Sequence, residues 1–205
     1  MSTTKTVKPV ESPVDSDPVS RLIQVLGQEG FTPVHDEEEA KISGERIYRR
    51  SEKVLFAEGE TQFHFINYPT VSDKVLGQAM KSIGNLFRAR TGGQKALSVL
   101  QTRTVYVCIV AHSEAPHNEN LTRHIWTKGG AVLIPVIIVP EINQVVYPSV
   151  ETKVGTVKPR VEYLQYLLGE RREAVDIHQG TIKTFYISLG FVGLLVLAAV
   201  VSMFL

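Results

Sequence analysis

Cysteine is almost missing from this chain: Cys108 stands alone, so no internal disulfide can form and a reducing compartment suits the protein. Also missing is an apolar stretch near the start. The opening MSTTKTVKPVESPVDSDP has no h-region, which argues against a cleaved secretory leader and against a glycolipid-anchor reading of the tail. There is no heptad array, no internal repeat and no dinucleotide fingerprint. Thr91-Gly92-Gly93-Gln94-Lys95 comes nearest to a phosphate loop, but its spacing differs and it follows a helical pattern instead of preceding one.

The most informative absence is charge. From Thr184 to Leu205, 22 residues carry no ionisable group, and as a helix they would extend about 33 Å, enough for a hydrocarbon core of about 30 Å. The expectation is one C-terminal transmembrane helix, because a buried core helix of this length would be amphipathic. Thr184, Phe185 and Tyr186 mark its near interface, Gly190, Gly193, Ala198 and Ser202 offer a small-residue face compatible with a homodimer, and Leu205 lies at the far side. Arg171, Arg172 and Lys183 stand upstream and no base downstream, so the positive-inside rule puts the N-terminal domain in the cytosol. This is the pattern of a tail-anchored, integral membrane protein.

The chain divides into a flexible tail at 1–17, an α/β domain at 18–172, a juxtamembrane hinge at 173–183 and the anchor at 184–205. Net charge is only +1, yet residues 11–40 hold eight acids against Arg21, and residues 41–103 hold eleven bases against five acids. Such a split favours a surface that meets a partner or a membrane.

Periodicity supplies the elements. Asp17 as N-cap and Pro18 at the first position open a helix through Val19, Leu22, Ile23 and Leu26, which Gly27 and Gly30 should end. Three short β segments follow, at 41–50, 53–58 and 61–69, as an antiparallel meander whose last member alternates enough to be half exposed. A helix capped by Thr70 or Ser72 buries Val75, Leu76, Ala79, Met80, Ile83, Leu86 and Phe87, and lines up Lys74, Lys81 and Arg88 opposite. Arg103–Ala111 suits a central strand covered on both faces. A helix through Leu121 and Trp126, stopped by Gly129-Gly130, then leads to a strand at 131–142 that Pro135 and Pro140 mark as an edge or a bulge. Strand, helix and strand here fit a parallel crossover. QVVYP adds a short strand, and a helix over Arg160–Arg172 closes the domain. The expected fold class is thus α/β, a mixed sheet with an antiparallel meander, a parallel crossover and helices on its faces.

Candidate chemistry is sparse. His112, His117 and His124, with Glu114 and Glu119 among them, follow the central strand, where ligands bind in open α/β sheets, but their spacing matches no metal-ligand pattern. The order of helix, three strands, helix, strand, helix and strand over 18–140 resembles the restriction-endonuclease-like fold. That resemblance implies an acid-x-lysine on the third strand; Thr61–Asn67 has none, and Glu39-Ala40-Lys41 and Glu151-Thr152-Lys153 lie elsewhere. Binding in place of cleavage is what it implies.

The expected function is therefore a docking, assembly or accessory module for a membrane complex, non-enzymatic and without cofactor or metal. Lys74, Lys81, Arg88, Arg46, Arg49 and Arg50 would meet lipid headgroups or an acidic membrane-protein partner. Nucleic acid is not expected. The alternative is an anchored hydrolase or degenerate nuclease-like domain, with a site near His112 to His124, Glu58 and Glu60.

Overall fold

A computed structural model describes residues 17–34, 46–54, 57–91, 103–112, 121–128, 131–149, 157–175, 177, 190 and 193–194. Seven strands join in one mixed sheet: β1 (Thr32–Val34), β2 (Arg46–Val54), β3 (Ala57–Tyr68), β4 (Arg103–Ala111), β5 (Trp126–Lys128), β6 (Ala131–Val139) and β7 (Gln144–Val146). Their order is β1-β2-β3-β4-β6-β5, with β7 also on β6. The first three are antiparallel, β3, β4 and β6 run parallel, and β5 and β7 return antiparallel along the outer edge of β6. The mixed sheet stands, with an antiparallel run made of β1, β2 and β3 in place of the three expected segments, and with β4 parallel to β6.

Helix α1 (Pro18–Gln28) starts as its residues dictate: Asp17 accepts from the Val19 and Ser20 amides at 3.2 Å, with Pro18 in the first turn. It runs through Gly27 to Gln28 and is closed by Gly30 just beyond, which takes φ +82° while Phe31 N–H bonds back to the Leu26 carbonyl. Helix α2 (Asp73–Thr91) is capped by the Ser72 hydroxyl, 3.3 Å from the Val75 amide. Helix α3 (Lys158–Leu167) stops short of the expected Arg172, because Gly169 turns left-handed at φ +77°.

The sheet divides two cores. On one face α1 and α3 cover Phe63, Phe65, Tyr106, Cys108, Ile134 and Ile138. On the other, Leu76, Ala79, Met80 and Ile83 of α2 meet Val105, Val107, Ile109, Leu133 and Ile137. The central strands are accordingly apolar in sequence, β6 throughout and β4 from Val105 onward, as burial on both faces requires. The two faces of β3 are buried from Thr61 to Ile66, so its alternation separates two covered sides and not a wet side from a dry one.

Three further expectations are corrected. The segments at 41–50 and 53–58 do not form separate strands: Arg46–Val54 is one strand, and β3 begins at Ala57, four residues before Thr61. Trp126 lies in a strand; among the described residues 121–128, only Leu121 and Thr122 are helical. Lys128 pairs with Ala131, so the helix that Gly129-Gly130 was expected to stop gives way to a strand at 126–128; the two glycines themselves lie outside the described residues. The third concerns β6, which is internal. Pro135 is tolerated because β5 reaches only Leu133 and β7 begins opposite Ile137, leaving the proline between the two short partners and paired on one side with Val107.

Among the described residues no helix is long and apolar enough to cross a membrane. Thr184, Phe185, Tyr186, Ala198, Ser202 and Leu205 lie outside them; Gly190, Gly193 and Leu194 have helical backbone, and Leu194 is 66% exposed.

Candidate functional site

Extending β3 back to Ala57 brings Glu60, Gln62 and His64 onto one side of a strand, two residues apart, on the α2 face. Arg49 of β2 and Arg103 of β4 flank them. Arg49 Nε lies 2.7 Å from Glu60 Oε1 and Arg103 Nε 3.1 Å from Glu60 Oε2, while Gln62 Nε2 donates to Oε1 at 2.7 Å. Since Gln62 spends its N–H on Glu60, its oxygen faces His64 Nε2 at 2.7 Å and fixes that nitrogen as the donor. Gln62 and His64 are 2% and 5% exposed, which makes this chain of contacts a buried polar seam across three strands. Glu60-Thr61-Gln62 has the acid-x-lysine spacing with glutamine in place of lysine. Both carboxylate oxygens already meet guanidinium groups, so a metal would have to displace two cations to bind.

Arg50, the next residue along β2, projects to the opposite face. It donates to Glu52 Oε1 at 2.6 and 3.1 Å and to the Glu29 carbonyl at 3.1 Å, and its guanidinium carbon lies 4.8 Å from the Phe31 ring centroid and 5.5 Å from that of Tyr163. Burial pulls the Arg50 pKa down, but Tyr163, Glu52 and Glu29 outweigh it and hold the guanidinium above its ordinary value. Burial likewise pushes Tyr163 and Tyr106 up, and Tyr106 gives its hydroxyl proton to the Arg160 carbonyl at 2.7 Å. This cluster ties α1, β2 and α3 together. Its geometry is that of a structural clamp.

The histidines do not converge. His112 pairs with Glu141, which holds that exposed carboxyl below its usual range. His124 Nε2 meets Asp73 Oδ1 at 2.6 Å and lies along α2. His117 is outside the described residues, as are Glu114, Glu119 and the Glu58 side chain. Among the described residues no three His, Cys, Asp or Glu side chains are grouped to hold a metal. Cys108 is fully buried, and burial pushes its thiol far up, so it is an apolar filler.

Of the six basic residues expected on one surface, Lys74 and Lys81 are exposed on α2 and Arg46 is exposed at the start of β2. The Arg88 side chain lies outside the description. Arg49 and Arg50 point to opposite faces and are engaged within the domain, so the structure does not bring the six together. What the sequence reading missed is the company of α2. Trp126 packs on Gly84 and His124 on Gly77, so the segment 124–126 runs along the helix beside its lysines. Two glycines seven apart were the available signal.

No protein-family model, no curated protein and no solved structure matches this chain. The likeness to restriction-endonuclease-like domains therefore rests on element order alone and brings no chemistry with it.

Proposed function

We propose that the chain is a single-span membrane protein whose α/β domain serves, on the cytosolic side, as a non-enzymatic docking or assembly module for a membrane-associated complex. The anchor is the uncharged segment 184–205, and the positive collar of Arg171, Arg172 and Lys183 supports the orientation. One observation carries the docking part. Several ionisable groups of the domain are engaged with one another, as in Arg49–Glu60–Arg103, Arg50–Glu52 and His124–Asp73, whereas α2 leaves Lys74 and Lys81 in solvent, two helical turns apart. A face of this kind suits an anionic surface, and tethering to the membrane plane lets weak contacts suffice.

The test is affinity purification of the full-length protein in mild detergent, beside a variant with Lys74→Glu, Lys81→Glu and Arg88→Glu. Membrane-protein companions should accompany the wild type at fixed stoichiometry and leave with the triple change. A chain that instead turns over a substrate, with activity abolished by His112→Ala, would replace this reading with an enzymatic one.

A further inference from the structure

Charge around α2 is more lopsided than its own sequence indicates. The helix 73–91 and the segment 121–128 packed along it hold six lysines and arginines, Lys74, Lys81, Arg88, Arg90, Arg123 and Lys128, against one acid, Asp73. That acid is taken up by His124 at 2.6 Å. Gly77 and Gly84 mark the flank of the helix that receives His124 and Trp126. At 100° per residue Lys81 lies about 40°, and Lys74 about 60°, around the helix from Gly77. Along the axis Lys81 stands three residues before Gly84, on the flank that receives the half-buried Trp126. Lys74 stands three residues before Gly77, on the flank that receives His124, with Arg123 exposed just ahead of that histidine. An aromatic ring among exposed cations is the composition that settles at the headgroup level of a bilayer.

A short tether would keep the domain close to the bilayer. Val175 and Ile177 do not hang free: Ile177 is 3% exposed within the core under α1 and α3, with Val175 packed against it. Only residues 178–183 separate it from Thr184, a reach of about 25 Å at full extension. The chain also leaves α3 by the outer edge of the sheet, where Tyr147, just past β7, bonds Glu170 and Gln165. The strand β5, which carries Trp126, occupies the same edge of β6.

We propose that this edge rests on the membrane, with Lys74, Lys81 and Arg123 on anionic lipid headgroups and Trp126 at the interface. The inference rests on the anchored reading above and names its partner surface. Three cations close to an anionic bilayer bias the domain toward that orientation on the order of 100-fold.

Trp126 is the single tryptophan of the chain, so its fluorescence reports this surface alone. The full-length protein is reconstituted into vesicles of phosphatidylcholine, or of phosphatidylcholine with phosphatidylserine, each containing a nitroxide-headgroup lipid as quencher. Quenching should deepen in the anionic vesicles, and return to the neutral-vesicle level in 1 M salt, where screening falls to about 3 Å. It should return likewise with Lys74→Glu, Lys81→Glu and Arg123→Glu. Equal quenching in both lipids, in protein that resists alkaline carbonate, overturns the inference and leaves the anchor intact. Equal quenching together with an acidic companion lost on the triple change overturns it in favour of a protein partner. Protein stripped from the vesicles by carbonate overturns the anchored reading, and this inference with it.

Discussion

Tyr147 shows how one side chain ties the last turn of the domain to the sheet. Its hydroxyl donates to Glu170 and accepts from Gln165 Nε2 at 3.4 Å; burial first, and then the Glu170 contact, pushes its pKa up to about 12. A tyrosine raised on folding keeps its proton in the native state after the unfolded chain has lost it. The stability it brings is therefore whole below the unfolded value near 10 and drains away as pH climbs through 12. Tyr106, Tyr163 and Tyr166 are raised as well, each with burial or a Glu29 hydrogen bond as the leading cause, so the domain should weaken steeply in alkali. Urea midpoints measured across that window should fall with pH, and Tyr147→Phe should make the fall shallower. An unchanged slope in the variant would mean that Tyr147 titrates alike in both states.

At the scale of elements the contact between α2 and the segment 124–126 is the most exacting. A Cβ on Gly84 would stand 3.0 Å from Trp126 Cε2 and 3.2 Å from Cζ2, whereas one on Gly77 would meet His124 at an ordinary 3.5 Å. Alanine gains about 1 kcal/mol of helix propensity at either position. At Gly84 the ring must also give way, and overpacking costs about 1–3 kcal/mol. Thermal melts should accordingly show Gly77→Ala stabilised and Gly84→Ala destabilised, each by about 1 kcal/mol, and equal shifts of the same sign would contradict the packing described.

That contact also shows where sequence reading stops. Local chemistry was legible: Asp17-Pro18 announced α1, the pair Thr70 and Ser72 announced α2, with Ser72 proving to be the cap, and the β-branched run Arg103–Ala111 announced the central strand. Pairing was not. Gly129-Gly130 serves a hairpin or a helix stop equally well, and only the ladder between Lys128 and Ala131 decides. Pro135 looked like an edge residue because nothing local reveals two short strands that stop on either side of it. The seam of Glu60, Gln62 and His64 was hidden for a similar reason: starting β3 at Thr61 left its acid in a turn. A two-residue period exposes a face only after the strand ends are known.

At the scale of the whole molecule, an uncharged run of 22 residues follows a domain whose last buried side chain among the described residues, Ile177, is seven positions from the start of that run. On the proposed reading, a short tether with a positive collar keeps the domain near the membrane plane. If 184–205 spans the membrane, its centre must tolerate no cation. Leu195→Arg together with Leu197→Arg places two guanidinium groups at mid-span, costing about 6 kcal/mol on the insertion scale. The wild type should stay with the membrane pellet after alkaline carbonate, and the double variant should move to the supernatant with its domain folded, as judged by unchanged Trp126 emission in detergent. Should both wash off, the segment does not span. Should both remain, the protein is held by its domain and not by the segment.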